Sequence, residues 1–272
     1  MSANVPTGPI RRLRALAKRA AMAVGLKPDS GLRIARFLET YSAAVTARGP
    51  LRFVQIGAND GVRNDPLYPL IERGGWEGVL VEPVPALFER LRRTHRDRPE
   101  LTLLNAAVAP EAGSRPFYHL PESEGLPIWA NGLGSFLKES LLTHADKIPD
   151  VADRIERIEV PCVTYRTICE ERGWERVDLV HSDTEGFDFE IVQSLDYDRF
   201  PPGLLLFEWV HLNGADRAAC RRFLEDRGYE PLAGHWDAVA LRDPDAAAPD
   251  VRAAWDRLRA GLARYNRAAP AA

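Results

Sequence analysis

The apolar positions of this chain fall into alternating blocks of two kinds. Short runs dense in Val, Ile, Leu and Phe recur at residues 52–57, 78–82, 101–108, 177–183 and 203–210, as strands buried on both faces require. Between them lie stretches with apolar residues at three- and four-residue spacing. These are 30–48, carrying Ile34, Phe37, Leu38, Tyr41 and Val45; 85–95, opened by Pro85; VTYRTICEERG; 187–195; and 216–228, closed by Gly228. Ser30 is a candidate cap for the leading helix, which is placed to cover a ligand pocket. The last two runs, YEPLAG and WDAVALR, are only a few residues apart and predict an antiparallel pair. The pattern as a whole predicts an α/β domain over residues 30–245, with a mostly parallel sheet and an antiparallel terminal hairpin.

The alternation breaks at 113–159. GSRPFYHL reads as an extra strand, followed by a glycine- and proline-rich segment with Trp129, Asn131, Gly132 and Gly134, then by a charged helical stretch from about Leu137 to Arg157. A long insertion in a regular α/β pattern is expected to be a lid or a binding loop. His119, Trp129 and Asn131 are its candidate substrate residues. Packing of Trp129 against the helix beyond it is an equal reading. Residues 246–272 are expected to be a C-terminal helical tail.

Residues 1–29 form a basic leader. Arg11, Arg12, Arg14, Lys18, Arg19 and Lys27 are interleaved with Leu13, Leu16 and Val24, and no acid precedes Asp29. Two readings stand: an amphipathic helix at 10–27 lying on the inner membrane surface, or a solvated leader. Lys18 and Arg19 interrupt what would be the apolar core of a secretion signal. No run approaches the roughly 20 apolar residues of a membrane span, so an integral membrane protein is not expected; the cytoplasmic placement is expected from the cysteine usage.

Composition narrows the partners. The 272 residues are 45% hydrophobic and 28% charged, with a net charge of -3. That balance argues for a small partner and against nucleic acid, whose binders carry a basic footprint. Cys162, Cys169 and Cys220 show no CxxC spacing and are expected to be packing residues of a reducing compartment.

In an open α/β sheet, ligands collect at the carboxyl ends of the strands. Five features fall there: the turn Gly57 to Gly61, Glu82, Asn105, the group Asp183, Glu185 and Asp188, and the pair Glu208 and His211. GANDG departs from the dinucleotide fingerprint, since Asn59 stands where that pattern has its second glycine. A nucleoside without a pyrophosphate therefore fits better, with Glu82 accepting from the ribose hydroxyls. Each acid also has a plain structural reading: Asp183 or Asp188 as a helix cap, Glu208 as an arginine partner, and His211 as a satisfied loop histidine. Asp188 and Glu190 are expected to be structural, Glu190 on a solvated helix face.

FVQIGANDG (53–61), VEPVPALFERL (81–91), NAAV (105–108), HSDTEGFDFEIVQSL (181–195) and LLLFEWVHL (204–212) resemble the FkbM-type S-adenosylmethionine-dependent methyltransferases. The resemblance implies a class I methyltransferase sheet of strand order 3-2-1-4-5-7-6 and methylation of a hydroxyl on a sugar, glycan or natural-product scaffold. It implies that Gly57, Ala58, Asn59 and Gly61 line the cofactor, that Glu82 takes the ribose, that Asn105 and Ala106 flank the adenine, and that Asp183 and Glu185 face the transferred methyl. Gln55 stands where many relatives carry an acid, which leaves the partner of the methionine amino group open. Proton removal from the acceptor requires a base, with Asp183, Glu208 and His211 as candidates, His211 first on intrinsic pKa and His181 last. Alternatively Asp183, Glu185 and Glu208 hold a divalent cation that acidifies the acceptor oxygen. Two other functions stand beside this one: a nicotinamide-dependent oxidoreductase or epimerase, and a non-catalytic membrane-peripheral protein that retains the fold. Oligomeric state is not legible.

Overall fold

The computed structural model describes residues 30–268, so the leader and its candidate membrane helix at 10–27 lie outside the described residues. The chain runs α1 (Ser30–Thr46), β1 (Leu51–Ile56), α2 (Tyr68–Ile71), β2 (Trp76–Val81), α3 (Pro85–Thr94) and β3 (Leu101–Leu104). It continues through β4 (Ala107–Val108), β5 (Gly113–His119), β6 (Gly134–Ser135), α4 (Lys138–Leu142), α5 (Val151–Arg154), β7 (Glu156–Val163) and α6 (Tyr165–Glu171). It ends with β8 (Val177–Ser182), α7 (Asp188–Ser194), β9 (Pro202–Glu208), α8 (Gly214–Glu225), β10 (Tyr229–Ala233), β11 (Asp237–Arg242) and α9 (Pro249–Ala268).

Seven strands make the main sheet in the order β3-β2-β1-β8-β9-β11-β10. Counting only these strands, that is the 3-2-1-4-5-7-6 order expected from the resemblance. Strand pairs from β3 to β9 are parallel, and β11 runs antiparallel to both β9 and β10. Alternation along β1 sends Val54 and Ile56 into one core with Val79, Val180, Leu205 and Phe207. Leu51 and Phe53 enter the opposite core with Leu80, Leu179, Leu204 and Leu206. Both faces are therefore dry, the condition that produced continuous apolar runs rather than alternating ones.

The helices on the second face include α1 and α9. Trp255 of α9 is fully buried and meets Phe37 of α1 with ring centroids 5.0 Å apart. The leading helix thus spends its apolar stripe on α9 and the sheet, and no residue of it lines the ligand cavity. Its Ser30 hydroxyl accepts from the backbone N–H of His235 at 3.3 Å.

Two segments differ from their expected form. The third strand divides at Asn105 and Ala106: β3 stays in the main sheet while β4 joins a second sheet of order β4-β7-β5-β6. The charged stretch from Leu137 to Arg157 is not one helix but α4, a 3-10 turn and the single-turn α5. Pro149 lies between the last two, and proline both lacks an N–H and drives its predecessor out of the helical region. Beyond it, β7 was not anticipated as a strand. Its Ile158, Val160 and Cys162 alternate with Arg157, Glu159 and Pro161, the period-two signal of a strand with one covered face. The insertion also has its own small core, made of Leu120, Leu126, Ala130, Leu133, Leu141, Ile148 and Val151.

Candidate functional site

One cavity of about 920 Å³, including its mouth, opens at the carboxyl ends of β1, β2 and β8. Gly57, Ala58, Asn59, Glu82, Ala106, Asp183 and Glu185 all line it, so pieces of chain far apart in order meet there. The strand ends are held together by backbone bonds. Gly57 and Ala58 donate to the Val81 carbonyl, both at 3.0 Å, and Asp183 donates to the Ile56 carbonyl at 3.0 Å. Asn59 adopts a left-handed φ of 52°, a conformation asparagine tolerates better than most side chains.

Glu82 is buried and its two carboxylate oxygens accept from the backbone N–H groups of Asn59 and Val84, each at 2.8 Å. Burial pushes its pKa up to about 7, opposed by those two bonds. Each oxygen keeps a further lone pair for a ligand hydroxyl. Two residues expected at the cofactor are placed differently. Asn105 turns its amide onto the carbonyls of Glu82, at 2.8 Å, and Pro83, at 3.2 Å, and is absent from the cavity lining. Gly61 is absent too; a Cβ there would fall 2.7 Å from Leu91 and 2.8 Å from His95 of the α3 segment, so its smallness serves helix packing.

Three lining residues each keep a polar side-chain atom without a partner. Gln55 Oε1, Asp65 Oδ2 and His181 Nδ1 are buried without a hydrogen-bond partner, and all three residues line the cavity. Gln55 and His181 are register partners on β1 and β8. Asp65 Oδ1 accepts from Leu67 N–H at 2.7 Å. Burial raises the Asp65 pKa to about 6, opposed by the Leu67 N–H bond and by the neighbouring Gln55 amide. Burial lowers His181 to about 4, so its imidazole is neutral and keeps an acceptor nitrogen. Asp65, from the loop after β1, brings a carboxylate to the same cavity as Gln55. Its one sequence signal is an acid directly before Pro66 in the glycine-turn crossover.

The insertion contributes Phe117, Trp129, Gly132, Leu133, Gly134 and Phe136 to the wall. Arg63, from the turn after β1, donates to the carbonyls of Ile128 at 3.2 Å and Asn131 at 3.4 Å, tying the insertion to the sheet. Trp129 lines the cavity and also packs: the His144 ring meets it edge-on at 5.1 Å and the Lys147 ammonium lies 5.7 Å from its centroid. Asn131 and His119 do not line the cavity, and His119 is buried 4.0 Å from Glu156.

At the other end Glu185 leads from the cavity to two residues outside its lining. His211 Nε2 stands 3.1 Å from Glu185 Oε2 and 3.5 Å from Glu208 Oε2. Burial and the neighbouring carboxylates Glu185 and Asp183 push Glu208 well above the usual carboxylate range. Asp188, by contrast, is a buried tie. Its carboxylate accepts from the Ser182 hydroxyl at 2.6 Å and from the Thr184 N–H at 3.3 Å. Glu190 is exposed, as expected of a solvated helix face. The three cysteines are free and buried, with Cys169 and Cys220 pushed up to about 12 by desolvation, so neither serves as a nucleophile.

Among the described residues no helix is long and apolar enough to cross a membrane. A comparison with curated proteins gives no match. Among solved structures the chain is similar to the methyltransferase FkbM of Methylobacillus flagellatus KT, at 11% identity over 71% of this chain and 43% of that one, with a TM-score of 0.43. It thus spans less than half the length of that protein. It is also similar to the N-terminal domain of human METTL16 in complex with SAH, at 12% identity over 85% and 81% of the two chains, TM-score 0.39. A methyltransferase from Geobacter sulfurreducens is similar at 12% identity over 88% and 90%, TM-score 0.36. These likenesses are distant, and the family comparison is the one that decides. A family model, the methyltransferase FkbM domain, matches residues 55–231, which include both Gln55 and the whole strand-end constellation; the chain belongs to the FkbM methyltransferase family.

Proposed function

We propose that the chain is an S-adenosylmethionine-dependent O-methyltransferase acting on a hydroxyl of a sugar, glycan or natural-product scaffold. One observation carries the reading: the glycine turn at 57–59, Glu82, and the unpartnered acceptors of Gln55, Asp65 and His181 border a single cavity that ends at Asp183 and Glu185. A nucleoside with an amino-acid tail matches that sequence of groups. Glu82 accepts from the ribose hydroxyls. The ammonium of the tail brings three donors, which satisfy Asp65, Gln55 and His181 together, and burial makes each of those unmet acceptors worth satisfying.

When bound, the cofactor would supply an activated methyl on a sulfonium, whose sulfur departs as a neutral thioether and needs no protonation. The work left to this chain is alignment and proton removal. Asp183 and Glu185 border the acceptor end, where Asp183 takes the hydroxyl proton; Glu208 and His211 stand behind Glu185 and hold that end in place, and Trp129 with Phe117 and Phe136 excludes water from the insertion side. The family assignment sets the nicotinamide reading aside.

Calorimetric titration with S-adenosylmethionine, S-adenosylhomocysteine and NAD tests the cofactor. Binding of the first two at one equivalent and none of the third is expected. Absence of binding by S-adenosylhomocysteine would overturn the reading.

A further inference from the structure

Hydrogen bonding leaves the acceptor end of the cavity incomplete. His211 Nε2 has two carboxylate oxygens near it, at 3.1 Å from Glu185 and 3.5 Å from Glu208. One N–H donates well to one acceptor. Glu208 Oε2 accordingly has no hydrogen-bond partner, although it is shut off from solvent. The same is true of Nε2 of His144, which arrives from the insertion. The His144 and His211 rings are 6.1 Å apart. One ligand atom each from His144, Glu185 and His211 lies within 4.8 Å of the others, and so do those of Asp183, Glu185 and Glu208. Among the described residues no lysine or arginine forms a salt bridge with Glu185 or Glu208.

The geometry points to a divalent transition-metal site formed by His144, Glu185 and His211 and completed by Glu208. Ligand atoms about 2.0 to 2.2 Å from a common ion stand roughly 3 to 3.6 Å apart. The two His211 distances already have that spacing, and the ligand atoms of His144, Glu185 and His211 all lie within 4.8 Å of one another. A dication satisfies the unmet Glu208 oxygen and the unmet His144 nitrogen at once, which no single shared proton does. Two imidazoles with carboxylates select an ion of the Mn²⁺ to Zn²⁺ series; Mg²⁺ and Ca²⁺ favour oxygen shells. Because His144 belongs to the insertion and the other ligands to the ends of β8 and β9, the ion also joins the insertion to the sheet. Its chemical role, polarising the acceptor oxygen, rests on the methyltransferase reading, whereas its binding does not.

Chelator-stripped full-length protein titrated with Co²⁺, followed by visible absorption and calorimetry, tests the site. One equivalent of Co²⁺ with ligand-field bands is expected, unaffected by excess Mg²⁺. His144→Ala and His211→Ala, checked for native circular dichroism, are each expected to weaken it by at least about tenfold. S-adenosylhomocysteine affinity of His144→Ala is expected to stay at the wild-type value. No stoichiometric Co²⁺ binding, or binding unchanged in His144→Ala, overturns the proposal. Loss of S-adenosylhomocysteine binding by the wild-type protein would instead sink the cofactor assignment and leave the metal site standing.

Discussion

A Cβ built on Gly57 stands 1.9 Å from the carbonyl oxygen of Asp183. β1 therefore ends against the backbone at the end of β8, and the residue at the contact must also hold a φ of +78°. Close approach and left-handed backbone are two separate demands, and glycine alone meets both. Neither concerns a ligand directly, yet together they bring Asp183 to the cavity. Gly57→Ala is expected to destabilise the domain by at least about 2 kcal/mol, through strain at a special backbone position. Thermal unfolding checks this, and an unchanged melting temperature would refute the account.

Glu82 makes stability depend on pH in a direction opposite to an ordinary paired carboxylate. Its pKa is raised from 4.5 to about 7, with burial as the cause. Between those values the folded state holds a proton that the unfolded state has lost, so stability is highest below the unfolded pKa and falls as pH rises toward 7. The full shift corresponds to a loss on the order of 3 kcal/mol. Glu82→Gln removes this titration. Urea denaturation from pH 4.5 to 8 is expected to show a shallower fall in the variant, and parallel pH profiles of the two proteins would exclude Glu82 as the source.

How far the site was readable follows from where each residue sits. Gly57, Glu82 and Asp183 close apolar runs, so the strand period fixed both their position and the edge of the sheet they share. Asp65 and His144 lie in irregular segments whose direction no periodicity sets, and only packing brings them to the cavity and its acceptor end. Asn105 closes a run, and the resemblance puts it beside the adenine; its amide instead bonds the Glu82 and Pro83 carbonyls, where β3 and β4 part between two sheets. β7 reads as a continuing charged helix until Pro149 is given its weight, because it starts at Glu156 and its exposed face carries Arg157 and Glu159. Local spacing reports an element, and the meeting of distant loops is a tertiary fact.

The terminal helix shows the same dependence on packing. Trp255 is wholly buried against α1, and its indole N–H donates to Glu230 at 2.7 Å. Glu230 also holds Arg259 by paired bonds, so loss of the indole does not strand its charge. The expected effect of Trp255→Ala is therefore that of a cavity, about 3 to 5 kcal/mol. A stability loss of under about 1 kcal/mol, taken from the shift in urea midpoint, would mean that α9 is not part of the cooperative unit.

Asp65 offers a test that separates the two ends of the cofactor. If its carboxylate receives the ammonium of the methionine tail, Asp65→Asn removes a charge-assisted bond inside a buried site and weakens S-adenosylhomocysteine by about 2 kcal/mol. 5′-Methylthioadenosine carries the same nucleoside without that tail, and its affinity is expected to be unchanged by the substitution. Glu82→Ala is expected to behave in the other way, weakening both ligands by about 1 to 3 kcal/mol because both carry the ribose. Calorimetry of the two ligands against the two variants gives four comparisons. Equal losses for both ligands in Asp65→Asn would mean that Asp65 supports the turn rather than the tail, since its Oδ1 already accepts from Leu67.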